Sequence, residues 1–217
     1  MDLKKKVSLA VIRRLPRYFR YLSDLLRLGI TRISSKELSA RMGITASQIR
    51  QDLNCFGGFG QQGYGYNVES LYNEIGNILG FNNKYQTIII GAGHMGQALA
   101  NYGNFEKRGF SLIGIFDVDQ NLVGKKIKDI EIMHLDSLEV FVMNNNVHIA
   151  ILTVPYEHTP TVADKLAQLG VRALWNFSPM DLKLTYDVII ENVHLSDSLM
   201  VLGYKLAEDM KSRANIK

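Results

Sequence analysis

The chain has 217 residues, 47% of them hydrophobic, with 25 Lys+Arg against 21 Asp+Glu and one cysteine. Such a chain forms one large globular domain or two modest ones. The single cysteine excludes an intrachain disulfide framework and a Cys-based zinc site, no metal is expected, and no apolar run is long enough to cross a bilayer. Lys4-Lys5-Lys6 precedes a short apolar run that Arg13 and Arg14 cut off, too soon for a secretory leader, so a cytoplasmic protein with no membrane partner is expected. Charge is uneven: residues 1–80 hold 12 basic and 6 acidic side chains, the remainder 13 and 15. A basic first part on a mildly acidic body points to a polyanionic partner for that part alone, or to a solvated basic face.

Leu9, Ile12, Leu15, Phe19, Leu22, Leu25 and Leu26 recur at three- and four-residue steps, which predicts an amphipathic helix over 9–28. Pro16 is awkward inside it and suits a first turn; Gly29 suits its end. Arg13, Arg14, Arg17 and Arg20 lie near or on the opening turns, and Arg14 and Arg17 are expected to meet DNA. Ser34-x-x-Glu37 and Thr45-x-x-Gln48 are two capping boxes, each marking a helix start, with Gly43 closing the first helix. Helix, glycine turn and helix make a helix-turn-helix whose small core is Leu38, Met42, Ile44, Ile49 and Leu53. Ala46, Ser47, Gln48, Arg50 and Gln51 are then exposed on the second helix, small or hydrogen-bonding groups suited to base edges and phosphates in a major groove. Ser35, Lys36 and Thr45 flank them. Cys55, between Leu53 and Phe56, is expected as a buried thiol. Phe56 to Tyr66 fits a glycine-rich hairpin, where a wing would place Gln61, Gln62 and Tyr64 against DNA; a plain connecting hairpin fits equally. Asn67 caps a helix carrying Val68, Leu71, Tyr72, Ile75, Ile78 and Leu79, and Gly80 to Asn83 forms a boundary.

Ile88-Ile89-Ile90 then runs into Gly91-Ala92-Gly93-His94-Met95-Gly96 and a helix-like segment expected to reach about Glu106. At a strand-to-helix junction G-x-G-x-x-G has a mechanism. Gly91 permits the turn, Gly93 lets the backbone approach a pyrophosphate, and Gly96 lets helix and strand pack closely. The helix N-terminus would hold the phosphates. The strand 110–116 ends in Asp117-Val118-Asp119, with Asp117 21 residues after Gly96. A carboxylate there accepts from ribose hydroxyls and repels a 2′-phosphate, which favours NAD, as NADH and NAD+, over its phosphorylated form. Asp136-Ser137 caps a helix through Met143, 147–154 is a buried strand, Thr159-Pro160 opens a helix, and 171–175 and 188–190 are further strands. The alternation means a parallel sheet covered on both faces, with Thr153-Val154-Pro155 and Asn176-Phe177-Ser178 bordering the nicotinamide side.

Catalytic groups are scarce. His94 lies in the glycine motif, and His134, His148 and His158 are expected as surface or satisfied core side chains. A cofactor reader fits better than an enzyme, although a small NAD-dependent dehydrogenase, or a repressor sensing another nucleotide such as an acyl-CoA, stays open. The final helix, about Ser196 to Arg213, carries Leu199, Leu202, Leu206 and Met210 on one stripe. It would pack on its own domain or across a two-fold axis, since helix-turn-helix proteins commonly read paired half-sites as dimers. The fold class is therefore α/β: a winged helix-turn-helix domain (1–80), a Rossmann-like doubly wound domain (81–196) and a C-terminal dimerisation helix (197–217).

Arg14-Leu15-Pro16-Arg17-Tyr18, Ser34 to Leu38, Gln48 to Leu53, Gly63 to Tyr66, Gly91 to Gly96, Phe116 to Asp119, Leu152 to Pro155 and Asn176 to Pro179 together resemble the Rex family of bacterial redox-sensing transcriptional repressors. The resemblance spans nearly the whole chain. It implies a homodimer on double-stranded, palindromic operator DNA, with a C-terminal helix swapped against the partner, and NADH binding that releases the operator. It also implies that Tyr102 lies near the nicotinamide and that Arg20 belongs to the switch. Some members exchange these contacts with a carboxylate just after the last strand. His194 stands there in this sequence, which departs from the pattern.

Overall fold

The computed structural model describes residues 7–57, 60–61 and 64–214, the side chains of 60 and 61 excepted. They form two compact units, divided between Asn83 and Lys84. Among the described residues no helix is long and apolar enough to cross a membrane.

The first unit begins with α1 (Leu9–Ile12) and α2 (Leu15–Arg27) rather than one helix over 9–28. The break falls at Arg13-Arg14, because Pro16 has no N–H for an intrahelical bond and belongs in an opening turn, where α2 places it. Leu9 is consequently exposed, and the buried positions of α2 are Leu15, Tyr18, Leu22 and Leu25. A short strand β1 (Arg32–Ile33) leads into α3 (Ser35–Met42) and α4 (Ala46–Asn54). The first capping box forms in full: Ser34 Oγ accepts from Glu37 N, and the Glu37 carboxylate accepts from Ser34 N. Gly43 closes α3 at φ 65°. The second box forms by half. Thr45 Oγ1 accepts from Gln48 N, but the Gln48 amide turns to Asp52. Strands β2 (Gly60–Gln61) and β3 (Gly65–Asn67) pair antiparallel, and β3 also pairs with β1, giving a three-stranded wing. Helix α5 (Val68–Ile78), capped by Asn67, packs Val68, Leu71 and Ile75 into the same core as α2, α3 and α4.

One charged group sits inside this unit. Asp52 is 1% exposed and lies between the core positions Ile49 and Leu53 of α4. Its Oδ2 accepts from Arg14 Nε at 2.6 Å and Tyr18 Oη at 2.9 Å, its Oδ1 from an Arg14 terminal nitrogen at 2.7 Å and Gln48 Nε2 at 2.8 Å. A bidentate guanidinium with two further donors leaves the buried carboxylate fully hydrogen-bonded. Burial alone would push the Asp52 carboxyl up; the bonds from Arg14, Gln48 and Tyr18 outweigh it and hold the group below the usual carboxylate range. Burial, then the Asp52 contact, pushes the Tyr18 phenol up.

The second unit is a seven-stranded sheet in the order β10-β9-β8-β4-β5-β7-β6. Its strands are β4 (Tyr85–Ile90), β5 (Phe110–Asp117), β6 (Lys126–Ile127), β7 (Ile130–His134), β8 (Ile149–Leu152), β9 (Ala173–Asn176) and β10 (Ile189–Asn192). All neighbours are parallel except β6 and β7. Leaving aside the edge strand β6, this is the doubly wound order, with the reversal between β4 and β8. Side chains alternate along β4. Ile88 and Ile90 join the core under α7 (Leu138–Asn144) and α8 (Thr159–Gln168), while Ile89 joins the core beneath α6 (His94–Asn101).

Helix α6 stops at Asn101 rather than near Glu106, because Tyr102 takes an extended backbone (ψ 100°) ahead of Gly103 and Asn104. Ser137 stands at the N-cap position of α7 as expected but makes no capping bond, its hydroxyl donating instead to His134 O at 2.7 Å; the 3₁₀ turn Leu135–Ser137 ahead of it is capped by His134, whose Nδ1 accepts from Asp136 N. The last helix, α9 (Leu195–Ala214), is exposed at every residue, so it does not pack on its own domain. Cys55 is exposed as well, at the C-cap of α4, where the next residue to turn inward is Phe56.

Replacing Asp52 by Asn leaves Arg14 facing a neutral partner and should lower the unfolding free energy by about 3 kcal/mol at pH 7. A depressed carboxyl stabilises the fold above its unfolded pKa and loses that contribution as pH falls through its folded value. The unmodified chain should therefore lose more stability between pH 5 and pH 2 than the variant does, read by urea unfolding across that range.

Candidate functional site

The loop after β4 is held from two sides. Gly91 N donates to Phe116 O of β5 at 2.8 Å, and Thr153, just past β8, donates its Oγ1 to Ile90 O at 3.0 Å and Gly91 O at 2.7 Å. Gly91 has φ +96°, and a Cβ there would lie 2.7 Å from Thr153 O. At Gly96 a Cβ would come within 1.9 Å of Gly91 O, so helix α6 crosses the loop at backbone contact. Gly93 differs. A Cβ there meets nothing within 4 Å, and Gly93 caps α6 without any side-chain acceptor for the helix N–H groups. Two glycines are thus required by the protein's own packing, and the third leaves open approach to an uncapped helix N-terminus. Such an arrangement suits an anion, for which it would form a cradle.

The other groups around it follow from the topology. Asp117 ends β5 beside the loop; its Oδ2 accepts from Ala92 N and its Oδ1 from Asp119 N at 2.9 Å. Val118, next to it, is 63% exposed. His94 is exposed and Met95 half-buried on the first turn of α6. Val154 is half-buried and Pro155 exposed after β8, and Asn176 and Ser178 are buried at the end of β9. Tyr102 is 46% exposed, its ring 4.8 Å from that of Phe105. His194 meets Asp181, Nε2 to Oδ1, at 3.0 Å. Of the remaining histidines, His148 Nδ1 accepts from Gln86 N at 3.1 Å, and His158 is exposed at the N-cap position of α8 with no side-chain capping bond.

On the first unit the expected DNA-facing side chains divide. Ser47, Arg50 and Gln51 are exposed on α4, with Lys36 exposed on α3; Arg50 is steadied by donating to Ser35 Oγ at 3.0 Å. Thr45 serves as the helix cap. Arg14 and Gln48 are committed inward to Asp52, and Arg17 donates to Met42 O at the end of α3. Arg20 is exposed on α2. Tyr64 is 70% exposed at the wing, with the Arg32 guanidinium 5.9 Å from its ring centre. The Gln61 side chain and Gln62 lie outside the described residues. Sequence patterning passed over Arg32, and it passed over Asp52 as a hub, although a carboxylate between Ile49 and Leu53 falls on the apolar side of α4.

A chain that carries a winged helix-turn-helix unit and a Rossmann-like unit has the make-up of a ligand-responsive DNA-binding regulator. Residues 6–54 match the family model "Putative DNA-binding protein N-terminus" and residues 82–180 match "CoA binding domain". The chain is 61% identical to the redox-sensing transcriptional repressor Rex of Caldanaerobacter subterraneus subsp. tengcongensis and 59% identical to that of Thermoanaerobacter pseudethanolicus. Both comparisons cover 96% of this chain and 93% of the relative. A solved structure of RSP with β-NAD+ and operator DNA superposes with a TM-score of 0.88 at 58% identity, over 96% of each chain. One of RSP with β-NADH gives 0.90 at 54%, covering 98% of this chain and all of that one. The chain belongs to the Rex family of redox-sensing transcriptional repressors.

Gly93→Ala tests the cradle without disturbing the fold, because the added methyl meets open space. Thermal unfolding should stay within about 1 kcal/mol of the parent, while NADH affinity, titrated by nicotinamide fluorescence, should fall about tenfold or more as backbone approach to the phosphates is blocked.

Proposed function

We propose that this chain is a transcriptional repressor that binds operator DNA through its first unit and reads the NADH/NAD+ ratio through its second. The observation that carries the cofactor assignment is Asp117. Its carboxylate sits at the end of β5 on the glycine loop itself, where it can accept from adenosine ribose hydroxyls. The same group disfavours a phosphorylated ribose, and so coenzyme A, whose ribose carries a 3′-phosphate, despite the name of the family model matched by residues 82–180. Gly91 to Gly96 would hold the pyrophosphate, with Val118 against the adenosine and Thr153, Val154, Pro155 and Tyr102 toward the nicotinamide.

On the DNA side, Ser47, Arg50 and Gln51 are the groups free to reach base edges, and Lys36, Ser35 and the Thr45 cap stand next to the backbone. Arg14, Arg17 and Gln48 act mainly by holding α2, α3 and α4 in register, although the remaining N–H groups of Arg17 can still meet a phosphate. Tyr64 and Arg32 place a polar and cationic pair at the wing. Helix α9, exposed throughout and carrying Leu199, Leu202, Leu206 and Met210, supports a homodimer in which each copy covers the other's helix. Such a dimer calls for a palindromic operator and works in the cytoplasm with the DNA. Arg20, Tyr102 and His194 are the candidates for relaying the cofactor state, with the carboxylate at this end of the fold supplied by Asp181 beside His194.

The oxidised ring carries a positive charge that the reduced one lacks, so a poorly hydrated pocket separates the two forms. To act as a signal, the reduced cofactor must bind the operator-free arrangement more tightly than the operator-bound one; equal affinity would shift nothing.

Fluorescence anisotropy with labelled operator tests this directly. NADH should release the operator, NAD+ should not, and the absence of any NADH effect would refute the reading. Arg50→Ala should cost about 1–3 kcal/mol of operator binding if it reads a base, or reduce the salt slope by about one if it meets a phosphate. In either case NADH affinity should be unchanged, since Arg50 belongs to the other unit.

A further inference from the structure

The carboxyl ends of four strands share one transverse row. Ile90 is in register with Leu152, Leu152 with Asn176, and Asn176 with Asn192. At one end of the row the chain enters the glycine loop; at the other it enters helix α9, three residues after Asn192. The first half of the row is apolar and ends in Thr153 clamping Gly91. The second half is polar.

Asn176 is fully buried, and all of its side-chain capacity is directed at this corner. Its Nδ2 donates to Met180 O and to Asn192 Oδ1, both at 2.9 Å, and its Oδ1 accepts from Ser178 N at 3.0 Å. Asn192 Oδ1 accepts a second bond, from Leu182 N at 3.2 Å. Val193 N donates to Asn176 O at 2.8 Å, and His194 meets Asp181. The segment 177–182, whose start borders the nicotinamide side in the reading above, is therefore tied to the root of α9 by side chains in addition to the β9–β10 ladder. A hydrophobic pair would fill this space with less desolvation cost. Two asparagines instead fix the angle at which segment and helix leave the sheet.

Resting on the function proposed above, we infer that the Asn176–Asn192 pair is a positioning contact: it conveys the state of the cofactor pocket to the seating of helix α9 on a second copy of the chain. Asn192 is the half that can be altered cleanly. It accepts two hydrogen bonds through Oδ1, so Asn192→Asp keeps both acceptors and Asn192→Ala removes them.

The experiment uses the full-length protein and measures three quantities for the parent, N192A and N192D: NADH affinity by fluorescence, operator affinity with and without saturating NADH by anisotropy, and thermal unfolding. In N192A the NADH-induced loss of operator affinity should shrink by about fivefold or more, the scale of ordinary allosteric coupling. NADH affinity without DNA and operator affinity without NADH should each stay within about twofold, and N192D should restore the NADH response. If N192A keeps the full response, or loses NADH binding, operator binding and thermal stability together, the pair is only a brace and the inference is overturned. If N192A does not fold, Asn192→Gln, with the same amide one methylene further out, is judged by the same outcomes. A parent protein that does not respond to NADH at all would instead defeat the functional assignment itself.

Discussion

The second unit depends on one close approach. Helix α6 can lie across the end of β4 only because Gly96 has no side chain, and the backbone of Gly91 occupies the place a Cβ would take. From that contact follow the short loop, the direction in which the N-terminus of α6 points, and the position of Asp117 against Ala92 N. Thr153 secures the arrangement from the neighbouring strand, where the winding of the sheet reverses, so the cradle is built across the switch point rather than on one strand. A loop held by bonds from β4, β5 and β8 at once has its shape set by the protein's own contacts, and a preorganised loop lowers the ordering cost of binding.

The first unit solves a different problem. Its helix α4 is short, and short helices owe most of their stability to tertiary packing. Apolar packing through Ile49 and Leu53 holds α4 down, while Asp52 fixes its rotation by engaging Arg14 and Tyr18 of α2. The basic charge of the unit is therefore divided between two tasks. Arg14 and Arg17 orient helices, whereas Lys36 and Arg50 face solvent. A net charge read from the sequence sums both kinds and overstates what is presented to DNA.

Much of this was legible in the residues themselves. The Ser34–Glu37 box, Gly43, Asn67 and the glycine loop are local devices, and local devices act where they are written. The parts that were not legible depend on distant partners or on unusual backbone. Gln48 completes a capping box in the sequence but prefers the buried Asp52 in the fold. The edge hairpin of β6 and β7 escaped because its turn uses Lys128 at φ 54°, in a left-handed conformation that Gly or Asn would have announced. The fates of Leu9 and Cys55 were misjudged for a shared reason: apolar spacing near a helix end does not say which side the core lies on. Asn176 was placed at the rim of the pocket from strand order alone, but its partner, Asn192, lies on the neighbouring strand and could be found only once the register was known.

Helix α9 remains. Its twenty residues make a rod about 30 Å long that buries nothing in its own subunit. Most of a helix's stability in a protein comes from packing an apolar face, and in the homodimer proposed above a second copy would supply that packing. The folding of α9 would then obey mass action: the concentration of the protein, and not only its sequence, would set how much of the final helix exists. In such a dimer dilution would fray α9 in each copy, and a scarcely expressed regulator would lose its assembled form before it lost its fold.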